Sequence, residues 1–474
     1  MPPHTETSTI DTAIIGAGIT GLCVAHSIYQ HSGAEASFDL IESSHQPGGA
    51  IQSTINDGYL AEHGPNSILV KDKRIAALLT QAGLDNDEAT SELLPARPEA
   101  TRRYIVQNGQ TIAMPGTPVS LIKSPLFTLK GKIRLLLEPF IARRQRKQSE
   151  ESFADFVRRR FGSELLASAA APFVSGIYAG DPGTLSVRHA FPRLWAMEQK
   201  YRSIILGLIA QQFGSTDKPH QLKPSKIVSF RSGMHALPKA IAKGLPQNSL
   251  KLGAQISSIE ASDTGWTITW KDQENIKQRQ NYRNLVITIP PHKLSNLRLP
   301  DKLHHDLRPI FQIESPPVTS LTLGFKREDV AHPLDGFGML IKRDENSPLL
   351  GVLFSSSMFD GRAPDGHVTL TCMMGGSINP EYAENNDQVV LDELHKLLGV
   401  TGAPTFRHQT SWPRAIPQYS LNYQDKLDTM IACEQSHRGL HLAGNYRDGI
   451  SVVDCMLNGL DLGKRLSQQY QSDL

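Results

Sequence analysis

Five glycines and one acid near the N-terminus have the types and spacing to hold a diphosphate. Gly16, Gly18 and Gly21 stand in Gly16-Ala17-Gly18-Ile19-Thr20-Gly21, directly after the apolar run through Ile10, Ala13, Ile14 and Ile15. In that order the first glycine permits a tight strand-to-helix turn, the second lets backbone approach a pyrophosphate, and the third lets helix and strand pack closely. Amides at the start of the following helix, read over Leu22 to Tyr29, then face the phosphates. Glu42 ends the apolar stretch Phe38 to Ile41, about 20 residues beyond the glycines, where a carboxylate accepts from a ribose hydroxyl and disfavours a 2′-phosphate. Gly48-Gly49 follows, so backbone without side chains can lie against the cofactor, which favours FAD over NAD. Contacts to FAD are expected from Gly16 through Gly21, Glu42, Ser43, Gly49 and Ala50, the last through its backbone alone.

A second turn of this kind lies near the C-terminus, where His441-Leu442-Ala443-Gly444-Asn445 runs through Asp448-Gly449-Ile450-Ser451-Val452 into a helix from Val453. By itself it is equally an ordinary strand-to-helix loop. Coupled to the N-terminal glycines it reads as the far side of the flavin site, with Gly444, Ile450, Ser451 and Val452 as contacts. Gly64, Pro65, Asn66 and Ser67, in the turn-rich Glu62-His63-Gly64-Pro65-Asn66-Ser67, are placed to approach a ring system from below. Ile256, in the strand-forming run Gln255 to Glu260, joins the expected cofactor contacts.

These residues need a parallel α/β framework. At 474 residues the chain is too long for one ordinary core. The expected fold class is α/β: a Rossmann-like FAD-binding domain of the glutathione-reductase type, a mainly antiparallel α+β substrate domain and a helical insertion. Strand signals at Gln255 to Glu260, Gly265 to Trp270 and Asn284 to Ile289 fit a hairpin and a return to the nucleotide-binding sheet. Alternation at Ser320 to Phe325, Gly338 to Ile341, Leu349 to Phe354 and Val368 to Met373 fits an antiparallel sheet. Helices are expected near Lys73 to Ala82, Ser152 to Phe161 and Glu164 to Ala171. The expected division is 1–90, 226–292 and 430–474 for the cofactor, 91–113 and 293–429 for the substrate, and 114–225 for the helical domain.

A net charge of +2 gives no case for nucleic acid as a partner. Cys23, Cys372, Cys433 and Cys455 form no Cys-x-x-Cys pair, which argues against a disulfide framework, and no metal site is expected. Met1 to Thr9 lacks the secretory pattern and reads as a short disordered tail. No apolar run reaches the roughly 18 residues of a membrane span. Pro115 to Arg160 combines apolar Leu126, Phe127, Ile133, Leu136, Leu137, Phe140 and Ile141 with Lys130, Lys132, Arg134, Arg143, Arg144, Arg146 and Lys147. Such a basic amphipathic segment suits either a helical core with solvated charges or peripheral contact with an anionic bilayer. A cytoplasmic location, with peripheral contact on the inner face of a membrane, is the expectation. The sequence leaves the oligomeric state open, a homodimer included.

Over nearly its whole length the chain resembles the FAD-dependent protoporphyrinogen oxidases, within the monoamine-oxidase-like flavoproteins. The likeness rests on Glu62 to Ser67, on Phe173-Val174-Ser175-Gly176-Ile177-Tyr178-Ala179-Gly180-Asp181-Pro182, on Gly351 to Ser356 and on Gly444 to Val452. The resemblance implies six-electron oxidation of protoporphyrinogen IX to protoporphyrin IX, with molecular oxygen reoxidising FAD. It implies that Arg103 holds a substrate propionate, for which a planar guanidinium fork is suited. Leu340 and Leu353 would sandwich the tetrapyrrole, and Met373 would cover it with a thioether. Gly176, otherwise a turn glycine, would offer a carbonyl to a pyrrole N–H. No side chain is assigned acid–base chemistry; Asn66 positions the ring. Rival readings are coproporphyrinogen III oxidation, a flavin amine oxidase or carotenoid-desaturase-like enzyme, and a flavin-loaded porphyrin carrier without turnover.

Overall fold

The run Ile10–Ile15 forms a strand whose Ala13, Ile14 and Ile15 are all buried, as a near-continuous apolar run in a covered parallel sheet should be. The computed structural model describes residues 9–86, 90–144, 150–213, 226–384 and 387–472. The first strand pairs in parallel with Phe38–Ile41 on one side and with the C-terminal half of Lys277–Ile287 on the other. Leu250–Lys251 extends one edge and Leu440–Leu442 the other, both in parallel. The polar N-terminal half of Lys277–Ile287 pairs antiparallel with Gly265–Lys271, which in turn pairs with Gln255–Ser262. One strand therefore serves two ladders, which is why it begins well before Asn284.

Helices Ile19–Ser32 and Val452–Ser472 pack together on this sheet. A Cβ added at Gly459 would lie 2.6 Å from the Thr20 carbonyl oxygen, and one at Gly463 2.5 Å from that of Val24. The absence of side chains at these positions sets how closely the two helices approach.

The second large sheet runs Phe406–Trp412, Val318–Lys326, His367–Gly375, Leu349–Leu353, Gly336–Ile341, Arg102–Gln107, Gln110–Ala113, antiparallel throughout except where Gly336–Ile341 meets Arg102–Gln107. Alternation divides its faces. Tyr104, Met339, Val352, Cys372, Leu321 and Leu323 turn into a core closed by helix Asp387–Leu398. In the ladder, Ile105, Leu340, Gly351, Met373, Ser320 and Thr410 stand opposite one another on the other face. Arg103, Gly338, Leu353, Thr371, Thr322 and His408 form the next row of that same face.

Against part of this face lies a helical layer. Phe153–Phe161 matches the expected helix, but the next one does not stop at Ala171. Ser163–Leu165 continues through a π-helical stretch, Leu166–Ala170, into Ala171–Tyr178. Pro172 lacks a donor, and the π stretch immediately before it re-spaces the hydrogen-bond ladder where that donor would be needed. Gly176 is therefore helical, a correction to its reading as a turn glycine. The layer is stitched by buried ions: Arg160 pairs with Glu138 and Glu198, and Glu138 also accepts from the amides of Ile204 and Ile205, at the start of helix Ile204–Phe213.

Candidate active site

At the first βα turn the three glycines have separable tasks. Gly16 has φ +101°, and a Cβ on Gly21 would stand 2.0 Å from the Gly16 carbonyl oxygen. Gly18 is the N-cap of helix Ile19–Ser32, and a Cβ there would meet nothing within 4 Å. Turn closure and helix contact thus need the outer glycines, while the middle one faces open space beside a helix N-terminus. Gly48 donates to the Ala17 carbonyl at 2.8 Å, and a Cβ on Gly49 would be 3.3 Å from the Gly18 Cα. Glu42 accepts from the Ala17 amide through Oε2 and from the Ser44 amide through Oε1, each at 2.8 Å; Oε1 also accepts from Ser43 Oγ at 3.3 Å, and Oε2 keeps a lone pair. Its own carbonyl accepts from Ala254, which brings Ile256 close to this strand end. Ser43 and Ala50 are exposed beside it.

The ring-side loop sits on the glycine pair: a Cβ on Gly64 would lie 2.6 Å from the Ala50 carbonyl oxygen. Pro65, Asn66 and Ser67 are half-buried, and Asn66 Nδ2 donates to the Gly64 carbonyl at 3.2 Å. Trp412 Nε1 donates to the His63 carbonyl at 2.9 Å, fastening this loop to the second sheet. His63 stacks on His408 at 4.7 Å between ring centroids. Burial, and for His63 the neighbouring His408 and His235, depress both imidazole pKa values. Behind the loop Glu62 is buried, accepting from Ser53 Oγ and the Met234 amide; burial pushes its carboxyl up to about 7.

Thr288, which the sequence reading passed over, joins the two chain ends. Its hydroxyl donates toward the carbonyls of Ile15 and Gly16, at 2.8 and 2.9 Å, and its own carbonyl lies 3.4 Å from where a Gly444 Cβ would be. Gly444 has φ +141°. The following loop is held by Tyr419, whose hydroxyl donates to the Asn445 carbonyl and accepts from the Gly449 amide. Ser451 caps helix Val452–Ser472 by accepting from Asp454, with Ile450 half-buried just before it. Neither Thr288 nor Tyr419 sits in a motif, since each acts through contacts between distant segments.

The proposed substrate residues come together. Arg103, Leu340, Leu353 and Met373 share the sheet face described above, and the last three are half-buried where the alternate residues are fully buried. A Cβ on Gly176 would lie 2.4 Å from Leu340 Cδ2, so the helical layer meets this face there. Arg103 is exposed, stands over the Phe337 ring at 5.2 Å, and has no carboxylate partner among the described residues. Arg102 differs, being paired with Asp335.

The space at Gly18, the helix N-terminus behind it and the acid at the second strand end fit a dinucleotide. The family described as flavin containing amine oxidoreductase matches residues 19–461. The chain belongs to that family. This flavoprotein, whose cofactor is FAD, is 30% identical to the mitochondrial protoporphyrinogen oxidase of Nicotiana tabacum over 94% of its own length and 92% of the relative. It is 26% identical to the coproporphyrinogen III oxidase of Bacillus subtilis (strain 168), over 94% and 95%. Its fold superposes on a solved structure from Exiguobacterium sp. 255-15, provisionally assigned as a protoporphyrinogen oxidase, with TM-score 0.80 at 21% identity, covering 98% and 100% of the chains. Cyclohexylamine oxidase from Brevibacterium oxydans IH-35A gives 0.66 at 17%, covering 98% and 99%.

Proposed function

We propose that this oxidoreductase converts protoporphyrinogen IX to protoporphyrin IX, with molecular oxygen as final acceptor. The observation that carries the reading is one open sheet face holding Arg103, Leu340, Leu353 and Met373 opposite Gly176. The relatives named as protoporphyrinogen oxidases support it, at about 30% identity over most of the chain. Bound FAD supplies the hydride acceptor. The chain's own work is placement: amides at the two helix N-termini hold the diphosphate, Glu42 accepts from ribose, and Asn66 orients the ring loop. Leu340 and Leu353 exclude water around the macrocycle, and Arg103 takes a propionate. Gly176 lies in the last turn of its helix, where carbonyls lack intrahelical partners and one can accept from a pyrrole N–H. In this reading segments 1–90, 226–292 and 430–474 serve the cofactor, 91–113 and 293–429 the substrate, and 114–225 access to it.

The Bacillus subtilis relative keeps coproporphyrinogen III as a second reading. Four propionates ask for a more basic pocket, whereas on this face Arg103 stands beside an Arg102 already engaged by Asp335. Anaerobic protoporphyrinogen should bleach the flavin spectrum; an unchanged spectrum would leave a carrier. Porphyrin fluorescence followed with each porphyrinogen in air separates the substrates, and faster turnover of coproporphyrinogen would overturn the assignment.

Among the described residues no helix is long and apolar enough to cross a membrane. Peripheral contact is part of the proposal because Ile122, Leu129, Leu136 and Phe140 are exposed at 70%, 74%, 73% and 83% on one helical block. Two features differ from the expected amphipathic face: Leu126 and Phe127 are buried, and Arg134 turns inward to the carbonyls of Arg159 and Arg160. Arg146 and Lys147 lie outside the described residues. Sedimentation with anionic vesicles, lost in Phe140→Asp, tests the contact.

A further inference from the structure

The face that carries the substrate residues changes character along its strands. Toward Gly176 it is apolar, but where it meets the cofactor domain it becomes a column of small hydroxyls: Ser320, Thr322, Thr371, Thr369 and, from the neighbouring helical turn, Ser355. All five are buried, each at most 4% exposed. Part of the column is internally bonded, with Ser355 Oγ and Thr371 Oγ1 at 2.8 Å and Thr371 Oγ1 and Thr322 Oγ1 at 3.4 Å. Its two ends are not: Ser320 Oγ and Thr369 Oγ1 have no hydrogen-bond partner among the described residues. A third such atom, Arg362 Nη1, lies in the same interdomain layer, where Arg362 Nη2 donates to Ser229 Oγ and the Phe230 carbonyl.

Three unpaired buried polar atoms in one layer are costly if the layer is dry, and internal water is the usual remedy. The column also has two outlets. At one end the Thr369 amide donates to Ser356 Oγ, and Ser356, His367 and Arg362 line an open cleft of about 810 Å³. At the other, Ser320 stands opposite Met373 on one side and Thr410 on the other, two residues from the Trp412 that fastens the ring-side loop.

We propose that this column is the wall of an internal water chain running from the cleft to the reacting edge of the substrate site, with Ser320 as the positioning residue at its inner end. The proposal rests on the porphyrinogen reading for its role. Over three two-electron rounds three meso C–H hydrogens leave with their electron pairs to the flavin, and three protons leave beside them, one from the fourth meso carbon and two from pyrrole N–H groups; the pyrrole protons pass to water on Ser320 as C=N bonds form. Each hydride equivalent then passes to dioxygen, which with one proton returned from solvent becomes hydrogen peroxide.

Ser320→Ala and Thr369→Val, each in the FAD-loaded protein, test it. A high-resolution crystal structure should show water within hydrogen-bonding distance of both wild-type hydroxyls, and both substitutions should lower the thermal midpoint. Ser320→Ala should also slow anaerobic flavin bleaching by protoporphyrinogen by roughly tenfold, with a changed solvent isotope effect. Dry hydroxyls, together with a raised midpoint in Ser320→Ala from removal of an unpaired polar group, would overturn the channel. Ordered water with unchanged bleaching would refute its proton role. If protoporphyrinogen fails to bleach even the wild-type flavin, the porphyrinogen reading and the proton role fall together, while the water and midpoint measurements still decide the channel.

Discussion

Gly18 and Gly21 lie in the same first turn and look equivalent in sequence, yet a methyl group at each should act on different states of the protein. At Gly21 the added carbon would sit 2.0 Å from the Gly16 carbonyl oxygen and 2.9 Å from Thr288 Oγ1. Ordinary contact begins near 3.4 Å, so the helix must withdraw by about 1.4 Å or the turn must open. The obstacle is backbone in a turn held by Thr288, which puts the overpacking cost near the upper end, about 3 kcal/mol. Better helix propensity returns up to about 1 kcal/mol, leaving a net loss of about 2 kcal/mol in the apoprotein. At Gly18 the methyl meets no protein atom within 4 Å, and φ is −68°. Only a poorer N-cap is felt there, below about 1 kcal/mol, but the methyl occupies the approach to the diphosphate. Gly18→Ala should therefore keep apoprotein stability and weaken FAD binding by roughly 1–3 kcal/mol, or about 5- to 150-fold in Kd. Denaturant midpoints of flavin-stripped protein and fluorescence titration with FAD give both quantities. Wild-type FAD affinity in Gly18→Ala, or wild-type apoprotein stability in Gly21→Ala, would refute this separation of roles.

Gly176→Ala places a carbon 2.4 Å from Leu340 Cδ2 and should raise KM for the porphyrinogen while FAD content stays at the wild-type level, since the contact is remote from the diphosphate. Arg103→Ala should likewise raise KM, whereas Arg102→Ala, which loses only an exposed pair with Asp335, should leave it nearly unchanged; equal effects would remove the distinction. Burial raises the Glu62 pKa to about 7, above its unfolded value, so its contribution to stability is fully present below about pH 4.5 and is lost as pH rises through 7. The shift is worth on the order of 3 kcal/mol, and Glu62→Gln should remove that slope from midpoints measured across the window. Glu138→Ala leaves the buried Arg160 guanidinium with Glu198 as its one carboxylate and takes the acceptor from the Ile204 and Ile205 amides, so a loss of about 2–4 kcal/mol is expected, read as a lowered denaturant midpoint.

Legibility followed the range of the contacts. The first βα turn could be read because its glycines answer constraints within one turn of chain, and Phe38–Ile41 lies where its apolar run placed it. Gly176 could not, because Leu165 to Ile177 carries no cap that announces its limits and contains a proline; only the π stretch explains how the helix passes Pro172. The different settings of Arg102 and Arg103 are hidden from the sequence for another reason. Tyr104, Ile105 and Val106 are all buried, so both faces of their strand look like core and the parity that separates the two arginines is hidden. Ladder register supplies it, by setting Arg103 opposite Gly338 and thereby in the row of Leu353.

Thr288 shows why the cofactor site could be recognised in pieces but not assembled from sequence. It lies just beyond the strand Lys277–Ile287, which takes Ile10–Ile15 on one side and Leu440–Leu442 on the other. Its hydroxyl reaches the adjacent carbonyls of Ile15 and Gly16 once Ile10–Ile15 has docked, and its own carbonyl faces Gly444 once Leu440–Leu442 has. The two glycine-rich turns, more than 400 residues apart in the chain, are thus brought to one strand end by pairing rather than by any property of their own. Each turn has the composition of a phosphate-facing loop, and neither alone distinguishes a cofactor site from a connection. What distinguishes them is the strand between, whose parallel half is buried and apolar while its antiparallel half is polar and partly exposed. That change of character within one strand is the local trace, in sequence, of a sheet that turns from a nucleotide platform into a hairpin.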